Sequence, residues 1–200
     1  MTNRLVLATR NAHKVDELAE ILGAAGLDVE LLPLPAEAPE VVEDGLTFAE
    51  NALKKARSAA AATGLPSVAD DSGLCVDALN GMPGVFSARW AGTAHDDAAN
   101  LALVLEQTAD VPDESRGAHF TCAAAVALPS GEERVVEGRV DGVLIRTPRG
   151  TGGFGYDPAF VPLGREQTTA EMSNEEKNAI SHRGEAFRAL VPVLRDLLGG

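Results

Sequence analysis

Asp70 and Asp71 are adjacent carboxylates followed by Ser72 and Gly73, and they are the first residues of this chain whose types suggest chemistry. Neighbouring carboxylates repel unless a proton or cation intervenes. Hard oxygen donors of this kind suit Mg²⁺, which takes one or two carboxylates and completes its shell with phosphate and water. A metal there also activates water. The same four residues equally suit an acidic turn closing a loop. A second stretch, Thr9-Arg10-Asn11-Ala12-His13-Lys14, lies between a predicted strand and a predicted helix. Free N–H groups at a helix start, with a lysine, suit phosphate. An ordinary strand-to-helix turn with a solvated lysine has the same composition. It is not a P-loop, because the chain has no Gly-Lys dipeptide.

A third stretch runs from Gly150 to Pro158 and places Phe154 and Tyr156 among glycines, with Asp157 beside them. Glycines admit a close ligand; the aromatics suit stacking on a base, and Asp157 suits accepting a hydrogen bond. The GxGxxG pattern of a dinucleotide site is not matched. The fourth stretch combines Lys177 with Ser181-His182-Arg183-Gly184. Three basic side chains in seven residues suit an anion or a carbonyl-bearing base, or a solvated basic face. No GxSxG elbow, HExxH helix or CxxC pair is present. His95 and His119 have no neighbours suggesting a triad and read as structural.

These stretches need elements to hold them. Leu5–Thr9 reads as a buried strand, broken at Asn11–Lys14 before a helix carrying Leu18, Ile21, Leu22 and Ala25. Val29–Leu32 reads as a strand and Pro33–Gly45 as a loop. Thr47 to Glu50 has the capping-box pattern and opens an Ala-rich helix to Thr63, stopped by Gly64. Pro66–Ala69 reads as a short strand ending at Asp70, and Asn80–Gly92 as an ordered loop. Asp96–Thr108 reads as a helix with Leu101, Val104 and Leu105 inward. His119–Leu128 and Glu133–Ile145 read as strands joined at Pro129-Ser130-Gly131. Ser173 to Glu176 is a second capping box, opening a short helix to about Ser181, and Glu185–Leu198 is the last helix. Strand–helix alternation followed by a hairpin predicts a mixed α/β sheet.

Composition narrows the function classes. Two hundred residues with 45% hydrophobic and 24% charged residues suit one domain spanning 1–200, or two lobes sharing a core. Seventeen basic against thirty acidic residues leave a net charge of −13. That average repels a nucleic-acid polymer, but it allows a small anion bound as a metal complex. The apolar run Leu5–Thr9 is too short for a signal peptide, and no run suggests a membrane span. Cys75 and Cys122 sit among small apolar neighbours, which reads as reduced thiols in a cytoplasmic protein.

Six stretches in order resemble the inosine triphosphate pyrophosphatase family, in its bacterial branch of dITP/XTP pyrophosphatases. They are Leu7 to Lys14, Gly45 to Ala52, Ala69 to Leu74, Pro83 to Arg89, Gly150 to Pro158 and Glu176 to Gly184. The resemblance implies an elongated mixed sheet flanked by helices, in two lobes with the active cleft between them. It implies Mg²⁺-dependent hydrolysis of ITP, dITP and XTP to monophosphate and pyrophosphate, by a homodimer. On that resemblance Thr9 to Lys14 bind the triphosphate, with Asn11 and Lys14 on phosphate oxygens. Asp71 is metal ligand and proton acceptor, Asp70 its partner, and Ser72 touches substrate. Phe154, Gly155, Tyr156 and Asp157 hold the nucleoside, with Phe154 against the base. Lys177, His182 and Arg183 contact base and phosphate. Some relatives place a metal-ligating glutamate where Val42 stands here; the nearest acids are Glu43 and Asp44, and either Glu43 substitutes or the metal is held mainly by Asp71 and phosphate. Relatives also often carry glycine at the position of Arg10. Two other readings are a Maf-type pyrophosphatase of pyrimidine or modified nucleotides, and a non-catalytic nucleotide-binding module.

Overall fold

A computed structural model of the chain describes residues 3–9 and 12–199, and within them not the side chains of residues 12–14, 16 and 17. In chain order the elements are β1 (Asn3–Leu7), α1 (Ala12–Ala24), β2 (Val29–Pro33), α2 (Phe48–Thr63), β3 (Ser67–Val76) and α3 (Asp97–Gln107). They continue with β4 (Gly117–Ala127), β5 (Glu133–Leu144), β6 (Phe160–Pro162), α4 (Asn174–Ile180) and α5 (His182–Leu198). The six strands form one sheet in the order β2-β1-β3-β4-β5-β6. β1 is parallel to β2 and β3, and β6 is antiparallel to β5. This is the mixed α/β sheet expected. Among the described residues no helix is long and apolar enough to cross a membrane.

The chain divides into two compact units. One is Met1–Asp71, Cys122–Gly138 and Arg183–Gly200, and the other is Ser72–Thr121 and Arg139–His182. In the first unit the two-residue period of a strand decides which side chain meets which helix. Val68 of β3 and Cys122, Ala124 and Val126 of β4 pack with Leu18 and Leu22 of α1 and with Phe187, Leu190 and Leu194 of α5. Ala69, Ala123, Ala125 and Ala127 pack with Ala52, Ala56 and Ala60 of α2. Side chains this small on both sides let α2 lie close to its strands. The second unit has its own core, built from Leu74, Val76, Leu101, Val104, Tyr156 and Phe160 among others.

Helix ends follow their sequence signals with one difference. Ser173 and Glu176 make the reciprocal capping box expected. Thr47 accepts the Glu50 N–H at 3.1 Å, but the Glu50 carboxylate takes the Leu46 N–H at 2.6 Å, so this box is half-formed. Gly64 stops α2 in the left-handed region, φ 66°, and its N–H reaches the Ala60 carbonyl at 2.9 Å.

Beyond shifts of one or two residues, as at β1 and β4, four features differ from expectation. β3 does not end at Asp70 but runs through Asp70-Asp71-Ser72-Gly73 to Val76. The buried Leu74, Cys75 and Val76 extend it, and cationic partners for both aspartates let acids sit mid-strand. α1 starts at Ala12, inside the predicted break. α5 starts at His182, three residues early and across Gly184; one helical glycine costs about 1 kcal/mol, which the buried face of α5 outweighs. β6, which the sequence did not suggest, is only three residues long and exists through its pairing with Gly142–Leu144 of β5.

Candidate active site

The predicted site residues form two clusters, one in each unit. In the first, strand parity separates the two aspartates. Asp70 shares the face of Val68, towards α5, and Asp71 shares the face of Ala69, towards α2. Asp70, with 1% of its side chain exposed, meets Arg183 of α5, whose Nε lies 3.1 Å from Oδ2. The Cys122 thiol lies 3.9 Å from the same oxygen. Asp71 meets α2: Asn51 Nδ2 donates to its Oδ2 at 3.0 Å, and Lys55 Nζ lies 3.7 Å from its Oδ1. Lys55 also lies 3.2 Å from Glu43 Oε2, so one ammonium sits between two carboxylates.

The loop before α2 is drawn into this cluster by an amide. Asn51, 1% exposed, accepts the Gly45 N–H on Oδ1 at 2.8 Å while donating to Asp71. A Cβ at position 45 would stand 2.6 Å from Asn51 Oδ1, which is why glycine is required there. This arrangement distinguishes the three neighbouring positions of the loop. Glu43 faces Lys55 and Asp44 pairs with Lys54. The Lys54 ammonium holds the Asp44 carboxyl below the usual carboxylate range. Val42 is 75% exposed. A cavity of about 260 Å³ opens beside the cluster, lined by Thr9, Glu43, Lys55, Ser58 and Asp70 among others. Thr9 follows β1, and Ala12, His13 and Lys14 make the first turn of α1. Arg10, Asn11 and the side chains of Ala12, His13 and Lys14 lie outside the described residues.

In the second unit, Ser72 follows Asp71 in β3 and is half-buried. The two aromatics of the glycine-rich stretch part company. Phe154 is 66% exposed, whereas Tyr156 is 5% exposed and its hydroxyl donates to the Ser87 carbonyl at 2.8 Å. Burial pushes the Tyr156 phenol up. Gly155 donates its N–H to Asp97 at 3.0 Å. Asp157, expected to accept from a ligand, accepts instead from three protein donors: Phe154 N–H at 2.8 Å, Lys177 Nζ at 2.5 Å and Thr169 Oγ1 at 2.8 Å. Gly153 is in the left-handed region, φ 69°, and a Cβ there would stand 2.1 Å from Asp157 Oδ2.

Lys177 Nζ also lies 4.9 Å from the Phe154 ring centroid. His182 stacks on Phe120 with centroids 5.0 Å apart and planes at 14°, and Phe120 meets Phe160 edge-on. A small cavity of about 20 Å³, room for about one water, lies among Phe120, Asp157, Thr169, Lys177 and His182. The sequence reading missed Asn51, Lys55, Phe120 and Thr169. A signal existed for Lys55: it follows Asn51 by four residues, one turn along the helix face that carries Ala52, Ala56 and Ala59.

The two clusters now have context from known proteins. The Ham1 family model matches residues 5–193. A dITP/XTP pyrophosphatase of Streptomyces coelicolor is 65% identical over 198 residues, covering 98% of this chain and 99% of that protein. A Mycobacterium abscessus crystal structure described as a nucleoside-triphosphatase, dITP/XTP pyrophosphatase, is 55% identical. It superposes with a TM-score of 0.82, covering 96% of this chain and 100% of that one. A HAM1 protein of Coxiella burnetii is 43% identical, with a TM-score of 0.90 over 97% of this chain and 99% of its own. Matched over nearly its whole length in both sequence and fold, this chain belongs to the Ham1 family.

Proposed function

We propose that this protein hydrolyses aberrant purine nucleoside triphosphates (ITP, dITP and XTP) to the monophosphate and pyrophosphate. The observation that carries the reading is the Glu43–Lys55–Asp71–Asn51 cluster, a pair of carboxylates held ready around positive charge. The names of the 65% and 55% identical relatives support the substrate class.

The donor set fits Mg²⁺. Glu43 and Asp71 offer hard oxygens, and the Lys55 ammonium lying between them supports a place for positive charge there. Among the described residues no group of three or more metal-ligating side chains occurs. Two carboxylates plus substrate phosphates and water is the usual Mg²⁺ arrangement. When bound, the metal neutralises triphosphate charge and acidifies a water.

The chain's own residues do the rest. Asp71 takes the proton from the attacking water at a carboxylate oxygen. The water oxygen bonds to the α-phosphorus, the bond to the α,β-bridging oxygen breaks, and pyrophosphate leaves. Asn51 fixes the Asp71 carboxylate throughout. Lys14 and the start of α1 favour charge on the departing pyrophosphate. Phe154 stacks on the base, and Lys177 donates to its 6-oxo group with His182 alongside. An ammonium has donors only, so a 6-amino purine leaves them unmatched. A site read by hydrogen bonds in this way discriminates by about 10⁴ or more. The reading includes a homodimer, as the motif resemblance implies, placed in the cytoplasm in keeping with the free, buried Cys75 and Cys122.

The test is turnover with Mg²⁺ on ITP, XTP, GTP, ATP and dTTP, with products separated. Monophosphate and pyrophosphate from ITP and XTP, with little from the others, is the expected result. Preference for dTTP favours the Maf-type alternative, and binding of ITP without turnover favours a regulatory module.

A further inference from the structure

Asp157 is 4% exposed, and its two oxygens are held differently. Oδ2 takes both the Phe154 N–H and Lys177 Nζ. Oδ1 takes Thr169 Oγ1, which among the described residues is the one donor to that atom. The Thr169 hydroxyl also lies 3.2 Å from the Asp157 carbonyl. It has a single proton, and the charged oxygen at 2.8 Å takes it. Thr169 is 6% exposed and anchored by its own N–H, which donates to the Phe160 carbonyl at 3.0 Å. Its neighbours brace the glycine-rich stretch. Thr168 Oγ1 donates to the Arg149 carbonyl at 2.9 Å, and Gly152 N–H to the Ala170 carbonyl at 3.0 Å. A Cβ at Gly150 would stand 2.5 Å from the Ala170 backbone.

We propose that Thr169 is a positioning residue for base selection, acting through Asp157 to set the Lys177 ammonium. The proposal rests on the assignment of Phe154 and Lys177 to the base. The terminal torsion of an aspartate is broad, so a carboxylate held at one oxygen alone is free to rotate. Thr169 stops that rotation at Oδ1 and so fixes the direction of Oδ2. Lys177 has a long flexible stem, and Oδ2 is its fixed point. Thr169 acts on base binding and leaves the chemistry at the triphosphate unaffected.

The experiment compares the full-length protein with Thr169→Val, Thr169→Ala and Thr169→Ser in steady-state turnover of ITP and ATP with Mg²⁺. Thermal unfolding normalises each variant to folded protein. Thr169→Val and Thr169→Ala should raise KM for ITP about tenfold, the worth of one hydrogen bond to a charged group. kcat should stay within about twofold, and the ITP-to-ATP ratio of kcat/KM should fall about tenfold. Thr169→Ser, which keeps the hydroxyl, should restore all three to within about twofold. An unchanged KM in Val and Ala, a loss of kcat at constant KM, or a serine variant as impaired as valine overturns the proposal. A wild-type protein that yields no monophosphate from ITP overturns the functional reading, and this proposal with it.

Discussion

Asp71→Asn separates the chemical role of this residue from its structural one. The substitution keeps the side chain's outline and removes one charge. Asn51 Nδ2 donates to Oδ2 at 3.0 Å, and an amide oxygen can accept the same bond. Among the described contacts, what weakens is attraction to Lys55 at 3.7 Å. Coulomb's law puts that at roughly 1 kcal/mol in a water-like dielectric and roughly 4–5 kcal/mol at an effective dielectric of 20. Lys55 keeps Glu43 at 3.2 Å, and both residues of the pair are partly solvated. The net cost is therefore about 1–2 kcal/mol, or a Tm lower by about 2–8 °C. The chemical loss is larger: a positioned general base contributes about 10²–10⁴-fold, equal to about 3–5.5 kcal/mol of barrier. Pyrophosphate release from saturating ITP should fall by at least about 100-fold in a protein that still unfolds cooperatively. A kcat within about threefold of wild type refutes the assignment of Asp71 as proton acceptor.

Gly45→Ala forces a Cβ to within 2.6 Å of Asn51 Oδ1. It should cost about 1–3 kcal/mol by urea unfolding and lower kcat; a neutral result in both would show that the loop yields without moving Asn51. Arg183→Met removes the guanidinium whose Nε lies 3.1 Å from Asp70, a carboxylate with 1% of its side chain exposed. A loss of about 3–5 kcal/mol is expected, partly recovered by adding Asp70→Asn, and a loss below about 1 kcal/mol would refute the pairing. His119 has a buried Nδ1 without a hydrogen-bond partner. Burial and Arg139 lower its pKa against the opposing pull of Asp77 and Asp141. With the folded value below the unfolded one of about 6.5, unfolded chain takes up the proton first, so stability is lost as pH falls through and below that value. His119→Gln should flatten Tm against pH between about 7.5 and 5, and an unchanged slope refutes the contribution of this residue.

What the sequence could tell depended on how local each signal was. Caps at Thr47, Gly64 and Ser173 and the turn at Pro129-Ser130-Gly131 involve residues within a few positions, and all formed as elements began or ended there. The Asp70-Asp71 pair was visible as chemistry but placed at a strand end, because two acids look like a turn until Arg183 and Lys55 are known to face them. Lys55 could not be matched to its partners from sequence, since those acids are 12 and 16 positions away in opposite directions. Thr169 and Phe120 carried no signal, because each acts through a contact made only by the folded chain. Tyr156 and Phe154 look alike in sequence, and only the core around Leu74 and Phe160 separates the buried ring from the exposed one.

The most direct test of the central claim is turnover of ITP in H₂¹⁸O with the mass of each product read. Attack at the α-phosphorus predicts one ¹⁸O in the monophosphate and none in pyrophosphate. Label in pyrophosphate, or orthophosphate as the first product, contradicts the account.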